Sequence, residues 1–204
     1  LDREGGELGL LAALEEPVDG GPGAAHVRPE GARLAEGFAQ LVRLRVATSP
    51  AWVAAVLADF DAFLLDHASC ERKASASAMA FVAHYPDRAE LVTACIALAR
   101  EELEHFERVA ELVARRGLIL APDRKDPYMQ ALAGGFRRGS DVYFLDRLLT
   151  AGVAEARGCE RFALVAAGLP EAEGDLKVFY RDLARVNGRM VGVEALMRWQ
   201  RGNT

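Results

Sequence analysis

Apolar residues recur every three or four positions along most of the chain, which is the spacing of one buried face on an α-helix. No stretch alternates apolar and polar residues as a β-strand does, so the pattern predicts an all-α protein. Proline and glycine fall mainly at the ends of the apolar stretches, where helices begin and end. Long helices are predicted near residues 59–84, 88–116, 141–167 and 171–201, and shorter ones near residues 31–46, 51–57 and 126–134.

Acidic and histidine side chains interrupt the inward rows of the four long helices. The first two rows are Phe60, Leu64, His67, Glu71, Ala74, Ala78 and then Leu91, Cys95, Leu98, Glu102, His105, Val109, Leu112. The last two are Leu149, Val153, Ala156, Glu160, Ala163, Ala167 and then Leu176, Tyr180, Leu183, Asn187, Met190, Glu194, Met197. A carboxylate inside a helix bundle needs a partner, because an unpaired buried charge is strongly destabilising.

One pair of these polar residues has the spacing of a metal site. Glu102 and His105 are three residues apart on one helical face, and this Glu-x-x-His unit is how helical bundles hold iron or manganese. Glu71 on the preceding helix supplies a third ligand. Carboxylates with a single imidazole suit iron or manganese better than zinc or copper. The alternative is a chance motif on an acidic helix surface.

A short internal repeat extends the candidate site. Cys70-Glu71-Arg72-Lys73-Ala74 recurs as Cys159-Glu160-Arg161-Phe162-Ala163, so Glu160 is expected to mirror Glu71. Duplication also predicts a second Glu-x-x-His in the last long helix, but the corresponding positions hold Asn187 and Met190. Asn187 offers a weak, neutral oxygen ligand, and the thioether of Met190 suits iron poorly.

Composition and charge limit the class of protein. With 51% hydrophobic and 27% charged residues the chain is globular, and residues 1–30 form an acidic, Gly/Pro-containing appendage before a helical domain at residues 31–204. Of the 30 acidic and 25 basic residues of the chain, seven acidic and two basic ones lie in residues 1–30. The other 23 acidic and 23 basic residues lie beyond residue 30, where their formal charges cancel. Three unpaired cysteines, no membrane span and no secretory signal predict a cytoplasmic location.

Four stretches of the sequence carry a family resemblance. They are TSPAWV at residues 48–53, DHASCERKA at 66–74, LAREELEHF at 98–106 and EARGCERFA at 155–163. In these motifs the chain resembles the tRNA 2-methylthio-isopentenyladenosine hydroxylases of the MiaE type. The resemblance implies a ferritin-like four-helix bundle with extra short helices and a di-iron centre. It also implies O2-dependent hydroxylation of the isopentenyl group on the adenosine next to the anticodon, with tRNA, O2 and an electron donor as partners. The family's ligands fall on Glu71, Glu102, His105 and Glu160.

The last helix departs from the family, which has Ser-Glu-Ala-Arg-His where this chain has Val186-Asn187-Gly188-Arg189-Met190. Two irons are expected from the family, and one is plausible from this sequence. A divergent tRNA hydroxylase, a single-metal redox protein, a non-catalytic RNA-binding bundle and a plain helical scaffold therefore remain as interpretations. His67, one turn before Glu71, is expected to hydrogen-bond to a ligand rather than to bind metal.

Overall fold

The structure, a computed structural model, describes residues 44–186. The predicted appendage at residues 1–30 and most of the helix predicted at 31–46 lie outside this part. The helices are α1 (Pro50–Ala58), α2 (Phe60–His84), α3 (Ala89–Arg115), α4 (Pro127–Gly134), α5 (Ser140–Gly168) and α6 (Gly174–Val186), with a 3₁₀ turn at Glu171–Glu173.

The prediction of an all-α protein is confirmed across the described residues, which contain helices and no strand. α1 and α4 are the predicted extra short helices, and the bounds of α2, α3 and α5 lie within two residues of those predicted. Among the helices described, none combines the length and the apolar character needed to cross a bilayer. None of the three cysteines, all of which lie in the described part of the chain, is assigned to a disulfide, in agreement with their number and spacing.

The described chain divides into two compact units, of which the first is residues 59–125. It is a hairpin in which α2 and α3 pack along each other, joined by a short turn at Tyr85-Pro86. A hydroxyl of Ser75 on α2 donates to the carbonyl of Ala99 on α3 at 2.8 Å, inside the contact. Apolar residues lie on both sides of the polar positions at the middle of the hairpin: Leu64, Ala68, Ala78, Leu91, Cys95, Ala99, Val109 and Val113 are all buried.

A glycine with a left-handed backbone lies two residues beyond Arg115, the last residue of α3. Gly117 has φ of 71°, its N–H donates to the Ala114 carbonyl, and the N–H of Leu118 donates to the Val113 carbonyl. These two bonds form a Schellman cap, which needs positive φ and therefore glycine. The loop that follows is held against α2, because Asp123 accepts a hydrogen bond from Ser69 at 2.7 Å and pairs with Arg72.

The second unit comprises residues 44–58 and 126–186 of the described chain. α1 and α6 both pack on α5. The Phe162 and Tyr180 rings lie 5.7 Å apart between α5 and α6, and Gly168 brings the end of α5 close to α1. Leu176, Tyr180 and Leu183 are buried, which confirms the described part of the fourth predicted row.

Two sequence predictions need correction. Residues 44–46, the end of the helix predicted at 31–46, are not helical. The Val46 carbonyl accepts instead from Arg157 at 2.9 Å, a contact 111 residues away along the chain. The inward row of α5 is confirmed at Ala156 and Ala163, which are buried, but not at Leu149, which is 48% exposed. Leu148 and Cys159 are buried although they lie outside the predicted row. Apolar or small residues occupy two neighbouring faces of α5, so the spacing of apolar residues alone does not decide which face is buried. Packing against α1 and α6 decides it.

Two glycines of α5 provide a matched test of this packing. A Cβ at Gly158 would meet no neighbour within 4 Å, whereas at Gly168 it would lie 2.8 Å from Cδ1 of Leu57 and 3.3 Å from Cγ1 of Val53. We expect Gly158→Ala to raise the free energy of unfolding by about 0.5–1 kcal/mol, because alanine favours helix over glycine. Gly168→Ala should lower it, since α1 must shift. Denaturant unfolding followed by circular dichroism measures both, and equal gains would contradict the close approach at Gly168.

Candidate metal centre

Three predicted ligands meet at the middle of the α2–α3 hairpin. Glu71 projects from α2, and Glu102 and His105 project from consecutive turns of α3. Each offers one ligand atom, and these atoms lie within 4.8 Å of one another. All three residues are at most 5% exposed. We call Glu71, Glu102 and His105 the buried cluster.

His67 supports the buried cluster from the turn before Glu71. Its Nε2 lies 2.7 Å from Oε1 of Glu71, and its ring is buried against Phe63, with the two ring centroids 5.9 Å apart. This confirms the predicted hydrogen bond between His67 and a candidate ligand. One oxygen of Glu71 is therefore held by an imidazole, which fixes the direction of the carboxylate.

The second histidine has an unsatisfied atom pointing at the carboxylates. Nδ1 of His105 is buried and forms no hydrogen bond with any residue that the structure describes. It lies 3.7 Å from Oε2 of Glu71 and 3.6 Å from Oε2 of Glu102, too far for hydrogen bonds. A buried imidazole nitrogen left without a partner is costly. A cation bound between these three atoms would satisfy it, so the donor set fits a metal such as iron.

Burial and mutual attraction set the protonation of the buried cluster in the metal-free protein. Burial favours a raised pKa for Glu71, but His105 and His67 outweigh it and hold that pKa well below the usual range. Burial, together with the nearby Glu71, raises the pKa of Glu102 to about 8. For His105 burial acts in the opposite direction, yet the two carboxyl groups raise its pKa to about 10. Such strongly perturbed pKa values are typical of functional sites.

The fourth predicted ligand, Glu160, lies in the other unit and has different partners. Its carboxylate accepts from the Thr48 N–H at 3.0 Å, the Thr48 hydroxyl at 2.8 Å and Arg157 Nη1 at 2.7 Å. The side chain is 23% exposed, against 6% for Glu71. Asn187, the weak fifth candidate, lies outside the described residues, as does Met190.

Sequence reasoning did not predict Thr48 as a partner of Glu160. The only signal was the TSPAWV stretch itself, whose role no spacing rule explains. Three arginines near the candidate ligands contact other residues: Arg157 pairs with Glu160, Arg72 pairs with Asp123, and Arg161 lies over the Trp52 ring at 4.8 Å.

Comparison with known proteins relates the chain to tRNA-modifying enzymes. The family described as "tRNA-(MS[2]IO[6]A)-hydroxylase (MiaE)" matches residues 38–193. A tRNA 2-(methylsulfanyl)-N(6)-isopentenyladenosine(37) hydroxylase of Pseudomonas putida is 37% identical over 142 residues, which is 70% of this chain and 68% of the relative. The enzyme of the same name from Salmonella typhimurium is 32% identical over 100 residues, covering 49% of this chain and 36% of the relative.

A solved structure gives the fold comparison. "Protein 43 with aldehyde deformylating oxygenase activity from Synechococcus" has a TM-score of 0.70 and 39% identity, covering 78% of each chain. This similarity confirms the predicted fold class, all-α and ferritin-like.

The pKa shifts predict how the stability of the metal-free protein depends on pH. The folded state binds an extra proton at Glu102 between pH 4.5 and about 8, and at His105 between pH 6.5 and about 10. The free energy of unfolding should therefore fall as the pH rises from about 5 to about 9. Glu71, whose pKa is lowered, contributes stability that is lost only in acid, below its unfolded value of 4.5.

Glu102→Gln should make this decline smaller, because the amide does not titrate. Glu104→Gln, an exposed change on the same helix, should leave it unaltered. Denaturant unfolding of metal-free protein at several pH values measures the slope. A free energy of unfolding that rises between pH 5 and pH 9 would contradict the assigned protonation states.

Proposed function

Because the chain belongs to the MiaE family of tRNA hydroxylases, as its motifs predict, we propose that it hydroxylates the isopentenyl group of 2-methylthio-isopentenyladenosine in tRNA, next to the anticodon, with O2. The family match and the names of the curated relatives support this function over the single-metal redox protein and the non-catalytic RNA-binding bundle. A tRNA substrate also fits the cytoplasmic location predicted from the sequence.

The buried cluster is the observation that carries the proposal. We propose that Glu71, Glu102 and His105 hold iron, with Glu160 as a further ligand from the family resemblance and Asn187 as a weak one. Iron bound there would supply the reduction of O2. The family resemblance implies two irons, and the three residues of the buried cluster would hold one of them.

The chain's own residues prepare the site. His67 holds Glu71 in one direction, and the two histidines keep this carboxylate ionised, which a cation requires. Apolar residues on each side of the buried cluster exclude water. Exclusion of water strengthens the interaction between the carboxylates and a cation, because little solvent screens them.

The reaction has a defined balance. One oxygen atom of O2 enters a C–H bond of the isopentenyl group and the other leaves as water. Two electrons and two protons are consumed, and an electron donor must supply the electrons. The sequence gives no candidate for this donor.

Iron content tests the ligands. We expect Glu102→Ala and His105→Ala to lose iron while their helices remain folded, because each change removes a buried ligand atom. Glu104→Ala on the exposed face of α3 is the matched control and should keep its iron. Elemental analysis after anaerobic Fe(II) loading gives iron per chain, and circular dichroism reports folding. Unchanged iron in both variants would refute the assignment.

The second iron needs a separate variant. Asn187→Glu combined with Met190→His restores the family's residues at these positions. A rise from one iron to two in this variant would show that the natural chain holds one. Two irons in the natural chain would show that other groups complete the second site.

Turnover tests the substrate. We expect iron-loaded protein with a chemical reductant and O2 to add one oxygen atom to the modified adenosine in tRNA, as measured by mass spectrometry of nucleosides. His105→Ala should abolish turnover, because the metal that reacts with O2 is lost. An aldehyde is the second substrate to assay, since the solved relative is described by an aldehyde-deformylating activity. Turnover of the aldehyde without turnover of tRNA would contradict the proposal.

A further inference from the structure

An aromatic side chain faces solvent in the first turn of α5. Tyr143 is 44% exposed, whereas every other phenylalanine, tyrosine and tryptophan that the structure describes is buried or half-buried. Its ring lies nearly perpendicular to the ring of half-buried Phe136, with the two centroids 5.6 Å apart. The contact supports the Tyr143 ring on one side and leaves part of it open to a ligand.

Two arginines lie in the loop between α4 and α5, next to Phe136. Arg137 donates to the Asp146 carboxylate from Nη2 at 2.5 Å, from Nε at 3.0 Å and from its backbone N–H at 2.8 Å. These bonds fix the loop on α5, although the Arg137 side chain is still 61% exposed. Arg138 is exposed and has no hydrogen bond or ion pair in the described part of the chain. We call Phe136, Arg137, Arg138 and Tyr143 the loop surface.

The charge of the loop surface favours an anionic partner. Residues 136–147 contain three arginines and only two aspartates, a net charge of +1, and one of the aspartates is bound to Arg137. An apolar groove on α3 has the opposite character, because Glu104, Glu107 and Glu111 lie along it. Phosphate groups would be repelled by that groove and attracted by the loop surface.

An exposed aromatic ring beside arginines is suited to single-stranded nucleic acid. Unpaired bases stack on aromatic side chains, and arginine binds the phosphates between them. A regular duplex offers its phosphates but keeps its bases stacked on one another. The anticodon loop of a tRNA offers both unpaired bases and phosphates.

We propose that Tyr143 stacks on an unpaired base of the tRNA anticodon loop and that Arg138 contacts a phosphate beside that base. The inference rests on the proposed function, in which tRNA is the substrate, and it names the surface that receives the tRNA. Phe136 would support the Tyr143 ring, and the bonds from Arg137 to Asp146 would hold the loop before tRNA binds. A surface that is already ordered loses little conformational freedom on binding.

Two RNAs test the stacking. We expect Tyr143→Ala to bind an anticodon stem-loop that carries the modified adenosine about 10-fold more weakly, because one base loses its stacking partner. Tyr143→Phe keeps the ring and should bind as the natural chain does. A fully paired RNA duplex of equal length should bind equally to all three proteins. Iron-loaded protein is titrated without O2, which prevents turnover, and the fluorescence anisotropy of labelled RNA gives the affinity.

Salt dependence tests the arginine. Arg138→Ala should weaken the binding of both RNAs and lower the slope of log affinity against log salt concentration by about 1, because one phosphate contact is lost. The matched control is Arg100→Ala, which removes an exposed arginine of α3 that has no partner among the described residues. It should leave affinity and slope unchanged. Circular dichroism reports whether each variant is folded.

Several results would overturn the inference. One is natural affinity for the stem-loop in Tyr143→Ala, and another is an equal loss of stem-loop and duplex binding in that variant. An unchanged salt slope in Arg138→Ala, or an equal change in Arg100→Ala, would remove the phosphate contact. If the natural chain hydroxylates tRNA while these variants bind normally, only the loop surface is wrong. If the natural chain neither binds nor hydroxylates the stem-loop, the proposed function fails as well.

Discussion

The structure of the α2–α3 hairpin depends on the cost of burying ionisable groups. Two carboxyl groups and two imidazoles lie inside an apolar contact between helices, where each isolated charge is strongly unfavourable. The groups are tolerated because they compensate one another, and Glu71 is the member that the other three surround. A protein that needed only stability would gain by replacing such a set with apolar residues. Retention of the set therefore favours a functional role.

The internal repeat shows how the same five-residue pattern acquires different chemistry. Glu71 and Glu160 follow a cysteine and precede an arginine, and each has a basic residue one turn earlier on its own helix. For Glu71 this residue is the imidazole of His67, whereas for Glu160 it is the guanidinium of Arg157. The arginine that follows each acid also differs, since Arg72 reaches the surface and Arg161 is buried over Trp52. Within the repeat the two acids keep the same register, whereas their neighbours differ.

Much of the fold could be predicted from the sequence, because proline, glycine and helical periodicity are local signals. The same signals located Glu71, Glu102 and His105, since a polar residue within an apolar row must be buried with a partner. The register of α5 could not be predicted, because Leu148 and Leu149 serve equally well until α1 and α6 pack against the helix. The hydrogen bond from Thr48 to Glu160 could not be predicted either, because it joins residues 112 positions apart and depends on tertiary structure alone.

α2 has an exposed face that contacts the loop after Gly117 and a buried face that carries Glu71, and the two faces respond differently to salt. On the exposed side of the turn that carries Glu71, Arg72 pairs with Asp123, and Lys73 donates to the Arg124 carbonyl. These contacts lie near solvent, where dissolved ions weaken the attraction between opposite charges. The screening length is about 8–10 Å at ordinary salt concentrations. The bond between His67 and Glu71 is buried and is screened far less. Ionic strength should therefore loosen the loop while the interior of the same helical turn keeps its arrangement.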